Sequence, residues 1–145
     1  MGSGLPGTRG PHESYPDRKQ GAAVGVYRGT VDGQYVPYIM PQEHGLKADV
    51  RWATLADKAG YGLRVEGRPL LYVGVSHYTA ADLAAARHTW ELRRRGEIVL
   101  CLDDLHSGLG NGSCGPGVLA PYQVAPRPCR YSLWLRPLGP AERHA

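Results

Sequence analysis

Glycine and proline interrupt this chain so often that no long apolar element can form. Among 145 residues there are 20 glycines and 12 prolines, both above the norm for a globular chain. The apolar runs between them are short, which favours many strands joined by turns over a helical bundle. Residues 1–10 hold four glycines, a proline and no hydrophobic period, and read as a flexible lead-in. Residues 24–27 form a short apolar stretch, Asp32-Gly33 is a strong turn pair and residues 35–40 are strand-like, so a hairpin is expected there. Pro37 removes a ladder donor, which restricts the second run to an edge, a strand start or a bulge. Residues 50–55 and 62–65, alternating polar and apolar around Asp57-Lys58-Ala59-Gly60, predict a second hairpin.

Residues 70–75, Leu-Leu-Tyr-Val-Gly-Val, are a more continuous apolar run, as expected of a buried strand. One short helix is expected near residues 79–87: Thr79 is a good N-cap, Asp82 sits at the third helical position, and residues 83–87 favour helix up to an end near His88. Residues 97–102 predict a further strand and residues 103–117 a glycine-rich loop. Tyr131, Leu133 and Leu135 then alternate with Ser132 and Trp134. Six to eight strands and one helix make an all-β, antiparallel fold, most simply a β-sandwich. The length suffices for one core, assigned to residues 11–138, with residues 139–145 as a tail.

The formal charge of +4 comes largely from arginines scattered among acidic residues. Without a basic stripe, no nucleic-acid partner is expected. No segment approaches the ~20 consecutive apolar residues of a membrane span. Cys101, Cys114 and Cys129 form an odd set with neither metal-ligand spacing nor a secretory stretch before them, so a cytoplasmic location is expected. His44, His77, His88 and His106 lack the spacing that brings metal ligands together. His88 suits the end of the helix, where a cation is favoured. No carboxylate pair for acid–base chemistry is fixed by spacing: Glu13, Asp17, Glu43, Asp103 and Asp104 read as turn or solvated residues. Glu13 and Arg18 are placed to make a local ion pair worth about 0–1 kcal/mol if exposed.

Four blocks in order carry a further signal. They are Gly10-Pro11-His12-Glu13-Ser14-Tyr15-Pro16-Asp17-Arg18; Val36-Pro37-Tyr38-Ile39-Met40-Pro41-Gln42-Glu43-His44-Gly45 with Asp49-Val50-Arg51-Trp52; Ser76-His77-Tyr78-Thr79 with Leu83 and His88; and Gly108-Leu109-Gly110-Asn111-Gly112-Ser113-Cys114-Gly115-Pro116. Each is weak alone, but their order and spacing are specific. Together they resemble the C-terminal, small-chain domain of the bacterial β-galactosidases of glycoside hydrolase family two. The resemblance implies the C-terminal half of a β-supersandwich like that of galactose mutarotases. A half of this kind leaves an apolar face or strand edges for the missing half to cover.

The resemblance also implies function. The chain would be one portion of an enzyme that hydrolyses terminal β-D-galactosides such as lactose. Its partners would be the enzyme's remaining domains, in cis or in trans, the β-galactoside substrate, and further copies of the enzyme in a homo-oligomer. Both catalytic glutamates lie on a separate barrel domain in that family, so no catalytic residue is expected here and the chain should be inactive alone. No cofactor is expected in this chain; magnesium and sodium or potassium are implied for the complete enzyme. Gly110, Ser113 and Cys114 would wall the substrate pocket, with Cys114 standing where some relatives carry a tryptophan that stacks on the sugar. Backbone carbonyls of Met40, Pro41, Leu83 and Ala86 would hold an alkali ion, although Ala86 replaces a hydroxyl residue. His44 stands where the family segment usually has asparagine, a residue better suited to left-handed turn geometry. Two other readings are a non-catalytic carbohydrate-binding sandwich using Trp52, Trp90 or Trp134, residues that more often belong to a core, and a non-functional gene fragment.

Overall fold

The computed structural model describes residues 3–112 and 114–140, so Ser113 and residues 141–145 of the expected tail lie outside it. Six strands are described: β1 (Ser3–Arg9), β2 (Val24–Gly29), β3 (Lys47–Ala56), β4 (Gly62–Ser76), β5 (Val99–Asp103) and β6 (Ser132–Leu138). They form one antiparallel sheet in the order β2-β1-β3-β4-β5, with β6 also paired to β4. The chain therefore has the antiparallel all-β, sandwich-type architecture expected, with one short α-helix, α1 (Ala80–Ala85), and no closed barrel among the described residues. No described helix is long and apolar enough to cross a membrane.

β4 organises the sheet. Its first half, through Arg68, lies between β3 and β6, and its second half, from Tyr72, pairs with β5. The β3–β4 turn is closed by the Asp57 N–H on the Tyr61 carbonyl (2.8 Å) and by the Tyr61 N–H on the Asp57 carboxylate (3.0 Å). Leu71, Val73 and Val75 join Val50, Ala53, Val65 and Val31 in the main core. Tyr72, pointing to the opposite face, packs with Tyr15, Leu46 and Ala48 in a second cluster. The apolar run at residues 70–75 is thus covered on both faces from Leu71 onward, Val31 packing on the first side and Tyr15 and Leu46 on the second. In the first half of β4 that side is open. Trp52, Glu66 and Trp134 lie in register across three strands, and the Arg64 guanidinium covers the Trp52 ring at 4.1 Å.

Three expectations need correction. The flexible lead-in contributes β1, which pairs with β2 along its length and with β3 at Ser3 and Gly4. Backbone pairing on two sides needs no side-chain period, and Pro6 falls where the register with β2 shifts. Residues 35–40 make no strand: with Pro37 and Pro41 removing donors, this segment is a loop with only local backbone hydrogen bonds, and the Tyr38 side chain ties it to Glu13. The helix ends at Ala85 rather than near His88, which begins a separate 3-10 turn (Thr89–Glu91) and faces Glu91. At its start the expected cap is present: the Thr79 side chain accepts from the Asp82 N–H (3.1 Å) and Asp82 accepts from the Thr79 N–H (2.8 Å). A six-residue helix is too short to stand alone; buried Leu83 and the Asp82–Arg95 ion pair fasten it.

Candidate functional site

The segment from Gly10 to Arg18 touches the second and fourth sequence blocks, and its backbone is itself well fastened. The Ser14 N–H donates to the Leu46 carbonyl (2.8 Å), and the Ser14 hydroxyl accepts from the Ala48 N–H (2.9 Å). This bridge to the start of β3 brings Glu13 beneath the turn at Gly45. There its carboxylate accepts hydrogen bonds from the Tyr38 hydroxyl, the Tyr15 hydroxyl (3.0 Å) and the Gly45 N–H (2.9 Å). Burial would raise the Glu13 pKa, but these donors and the nearby His44 outweigh it and hold the carboxyl below its ordinary value. Tyr15 is pushed well up, by burial first and then by the Glu13 charge. Glu13 is therefore a fixed anion that ties two loops together. The expected Glu13–Arg18 ion pair is not made.

Gly45 explains why this turn needs its last residue. Its φ is +78°, and a Cβ there would stand 2.9 Å from the Gln34 carbonyl. The left-handed residue is thus Gly45 and not its neighbour. His44 has no positive φ and turns its ring edge-on to Tyr35, with centroids 4.9 Å apart.

Asp17 and Arg18 perform the second attachment. The Asp17 carboxylate accepts from the Gly110 N–H at 2.8 Å, while Arg18 donates to the Gly110 carbonyl at 3.2 Å. The two peptide links that meet at Gly110 are thus each held, one through its N–H and the other through its carbonyl. Although burial alone would raise it, the Asp17 pKa lies below its usual range because backbone N–H groups of Gly110 and Leu109 point at it. Its other oxygen, Oδ1, is buried without a hydrogen-bond partner among the described residues. Gly110 has φ +62°, and a Cβ there would meet the Val118 nitrogen at 2.7 Å. Beyond this clasp the loop turns back on itself, with the Cys114 and Gly115 N–H groups donating to the Asn111 carbonyl at 3.0 and 2.6 Å. Cys114 is exposed at its tip.

Between the two attachments lies a cleft of about 580 Å³, bordered by Glu13, Tyr38, Arg18, Lys47 and Leu109. Lys47 is 3% exposed. Its ammonium donates to the Gly45 carbonyl at 3.2 Å and makes no ion pair among the described residues. Burial pulls its pKa down to about 8, against the opposing pull of Glu13. Sequence reasoning missed Lys47, which lies before the strand expected from residue 50 and belongs to β3 in the structure. It also missed the Tyr15 and Tyr38 donors; the one available signal was their placement inside the two most distinctive blocks.

The remaining expected residues are dispersed. Pro41, Leu83 and Ala86 are buried, whereas Met40 is 67% exposed. The carbonyls at the end of α1 lack intrahelical partners, the donor type an alkali ion accepts, so the backbone around Leu83 and Ala86 fits that role as far as chemistry goes. Among the described residues no three His, Cys, Asp or Glu side chains stand close enough to hold a metal ion. His77 is buried between the Glu97 carbonyl (3.0 Å) and Arg94 (2.7 Å), and His106 lies against Tyr15 and Tyr72. The tryptophans are not core residues: Trp90 is 69% and Trp134 52% exposed, and Trp52 is half-buried.

Fold and site together define a sandwich-type β domain built around a clasped, outward-facing glycine-rich loop. Comparison with known proteins gives the family. Residues 7–135 match the family model of the beta galactosidase small chain. A beta-galactosidase of Vibrio cholerae is 38% identical over 129 residues, covering 88% of this chain and 12% of that protein. That of Priestia megaterium is 37% identical over 102 residues (70% of this chain, 10% of that protein). That of an Arthrobacter species is 36% identical over 122 residues (81% and 12%). This chain belongs to the β-galactosidase small-chain family, and it spans about a tenth of the length of the curated relatives it matches.

Proposed function

We propose that this chain is the C-terminal portion of a β-galactosidase, acting on terminal β-D-galactosides such as lactose. Its part in that enzyme is to frame the sugar pocket and stabilise the assembly. The observation that carries this reading is the two-sided clasp of Asp17 and Arg18 on Gly110, which fixes the root of an exposed loop inside a chain otherwise matched to β-galactosidases. A loop anchored at its root and exposed at its tip is suited to reaching a neighbouring domain. Gly110, Ser113 and Cys114 would form the pocket wall, where the Cys114 thiol offers a small apolar surface but no stacking face.

Glycoside hydrolysis needs two carboxyl groups across the scissile bond. The carboxylate bordering the cleft, Glu13, has its oxygens committed to three donors; the family resemblance implies that the chemistry belongs to glutamates of a separate barrel domain, with magnesium. Sodium or potassium would bind the backbone of Met40, Pro41, Leu83 and Ala86. The complete enzyme is read as a cytoplasmic homo-oligomer. The test is turnover of a chromogenic β-galactoside by the purified chain, alone and mixed with a polypeptide carrying the barrel. Activity only on mixing is expected; turnover by the chain alone would overturn the reading.

A second reading, a carbohydrate-binding sandwich, is favoured by one observation: Trp52 and Trp134 lie on the same face of the sheet, flanking Glu66. Arg64 and Arg68 sit over their rings, at 4.1 and 5.6 Å from the centroids, so a sugar would have to displace guanidinium groups to stack there. Titration of tryptophan fluorescence with galactose and lactose distinguishes the two readings. A flat response removes the binding module.

A further inference from the structure

The cleft between the two attachments has an unusual charge inventory. Its carboxylate, Glu13, already accepts from Tyr15, Tyr38 and the Gly45 N–H. Two cations border the same space. Lys47 is almost completely buried and donates to one carbonyl, which leaves two of its three N–H donors for a ligand. Arg18 spends one nitrogen on the Gly110 carbonyl and has no carboxylate within ion-pair distance among the described residues. Its charge reaches the Tyr38 hydroxyl across the cleft. A buried ammonium without a counter-ion is costly, and a carboxylate whose lone pairs are occupied by three donors only partly relieves it. The free capacity of the site is therefore for a hydrogen-bond acceptor carrying negative charge.

We propose that this cleft is a binding site for a small oxyanion, a carboxylate or phosphate group, held by the Lys47 ammonium with Arg18 at the rim. The cleft, about 580 Å³, has room for a ligand larger than the anionic group alone. Tyr15 and Tyr38 keep their hydroxyls on Glu13, so neither competes with Lys47 for the anion. The acceptor must meet a charged lysine. Because burial brings Lys47 down to about 8, binding weakens as pH passes that value. Of the groups facing Lys47, Glu13 stays ionised and Tyr15 and Tyr38 stay protonated across this range, their phenols being pushed up. Arg18 and His12 lie at the exposed rim.

The test uses the full chain and two probes, sodium acetate and inorganic phosphate, at constant ionic strength made up with sodium chloride, followed by calorimetry and by Tm. At least one probe is expected to bind and to raise Tm above the chloride control. Acetate alone identifies a carboxylate ligand, phosphate alone a phosphate ligand, and both a general oxyanion site. Lys47→Met should abolish the effect while remaining folded, and Lys47→Arg should retain part of it. Arg18→Gln should weaken binding about threefold, the effect of one exposed charge. Acetate, if it is the probe bound, should bind about tenfold more weakly at pH 9 than at pH 7, following the protonated fraction of Lys47. Should Lys47→Met fail to fold, the Arg18→Gln and pH measurements decide. Two probes indistinguishable from chloride, or an undiminished response in a folded Lys47→Met, would overturn the proposal.

Discussion

The turn at Gly45 and the loop at Gly110 are both glycine-dependent, and the same nine-residue segment holds both, yet in different ways. Gly45 is buried and tied through Glu13 to two tyrosines, with Lys47 beneath it. Gly110 is gripped through both its N–H and its carbonyl, and Asn111, Gly112 and Cys114 beyond it are exposed. The first attachment commits the Glu13 carboxylate to three donors of the fold. The second fixes a root and leaves a tip free. One is built for stability and the other for display, so damage to each should register in different measurements.

The largest effect is expected from Glu13→Ala, which strands two tyrosine hydroxyls and a buried N–H and should cost about 3 kcal/mol in urea denaturation. Gly45→Ala comes next, at about 2 kcal/mol, because the new Cβ meets a carbonyl at a positive φ. The Lys47 ammonium supplies a pH signature for the same region. Its folded pKa, about 8, lies below the ordinary 10.5, so between these values the unfolded chain binds more protons and stability rises with pH. The gain should be about 1.5 kcal/mol from pH 8 to 9.5, absent in Lys47→Met. Above about pH 10 the trend reverses, since folded Tyr15, Tyr38 and Tyr72 retain protons that the unfolded chain releases.

On the display side the stability effects shrink. Asp17→Ala removes one acceptor from the Gly110 N–H and should cost about 1 kcal/mol, while proteolysis of the loop accelerates. Cys114→Ala should change stability by less than about 0.5 kcal/mol. A loss at Cys114 as large as that at Glu13 would erase the distinction between the two regions.

The legibility of these features in the sequence follows their range. The Thr79–Asp82 capping box and the β3–β4 hairpin were readable because their partners lie a few residues apart. β1 was not, since it is a strand by virtue of two neighbours distant in sequence. Residues 35–40 looked like a strand by composition, but Pro37 and the pull of Glu13 on Tyr38 make them a loop. The resemblance marked Gly10 to Arg18 as distinctive without indicating why. Its contacts at Tyr38, Gly45 and Gly110 span separations that no local period encodes.

We propose that this chain contributes a loop held by Asp17 and Arg18, and no catalytic group, to a β-galactosidase. The deciding measurement is β-galactoside turnover in mixtures with a polypeptide carrying the barrel domain, comparing the parent chain with Asp17→Asn at equal folded concentration. The parent should be inert alone and active in the mixture, with Asp17→Asn markedly less active there. Turnover by the chain alone, or full activity from Asp17→Asn, would contradict the claim.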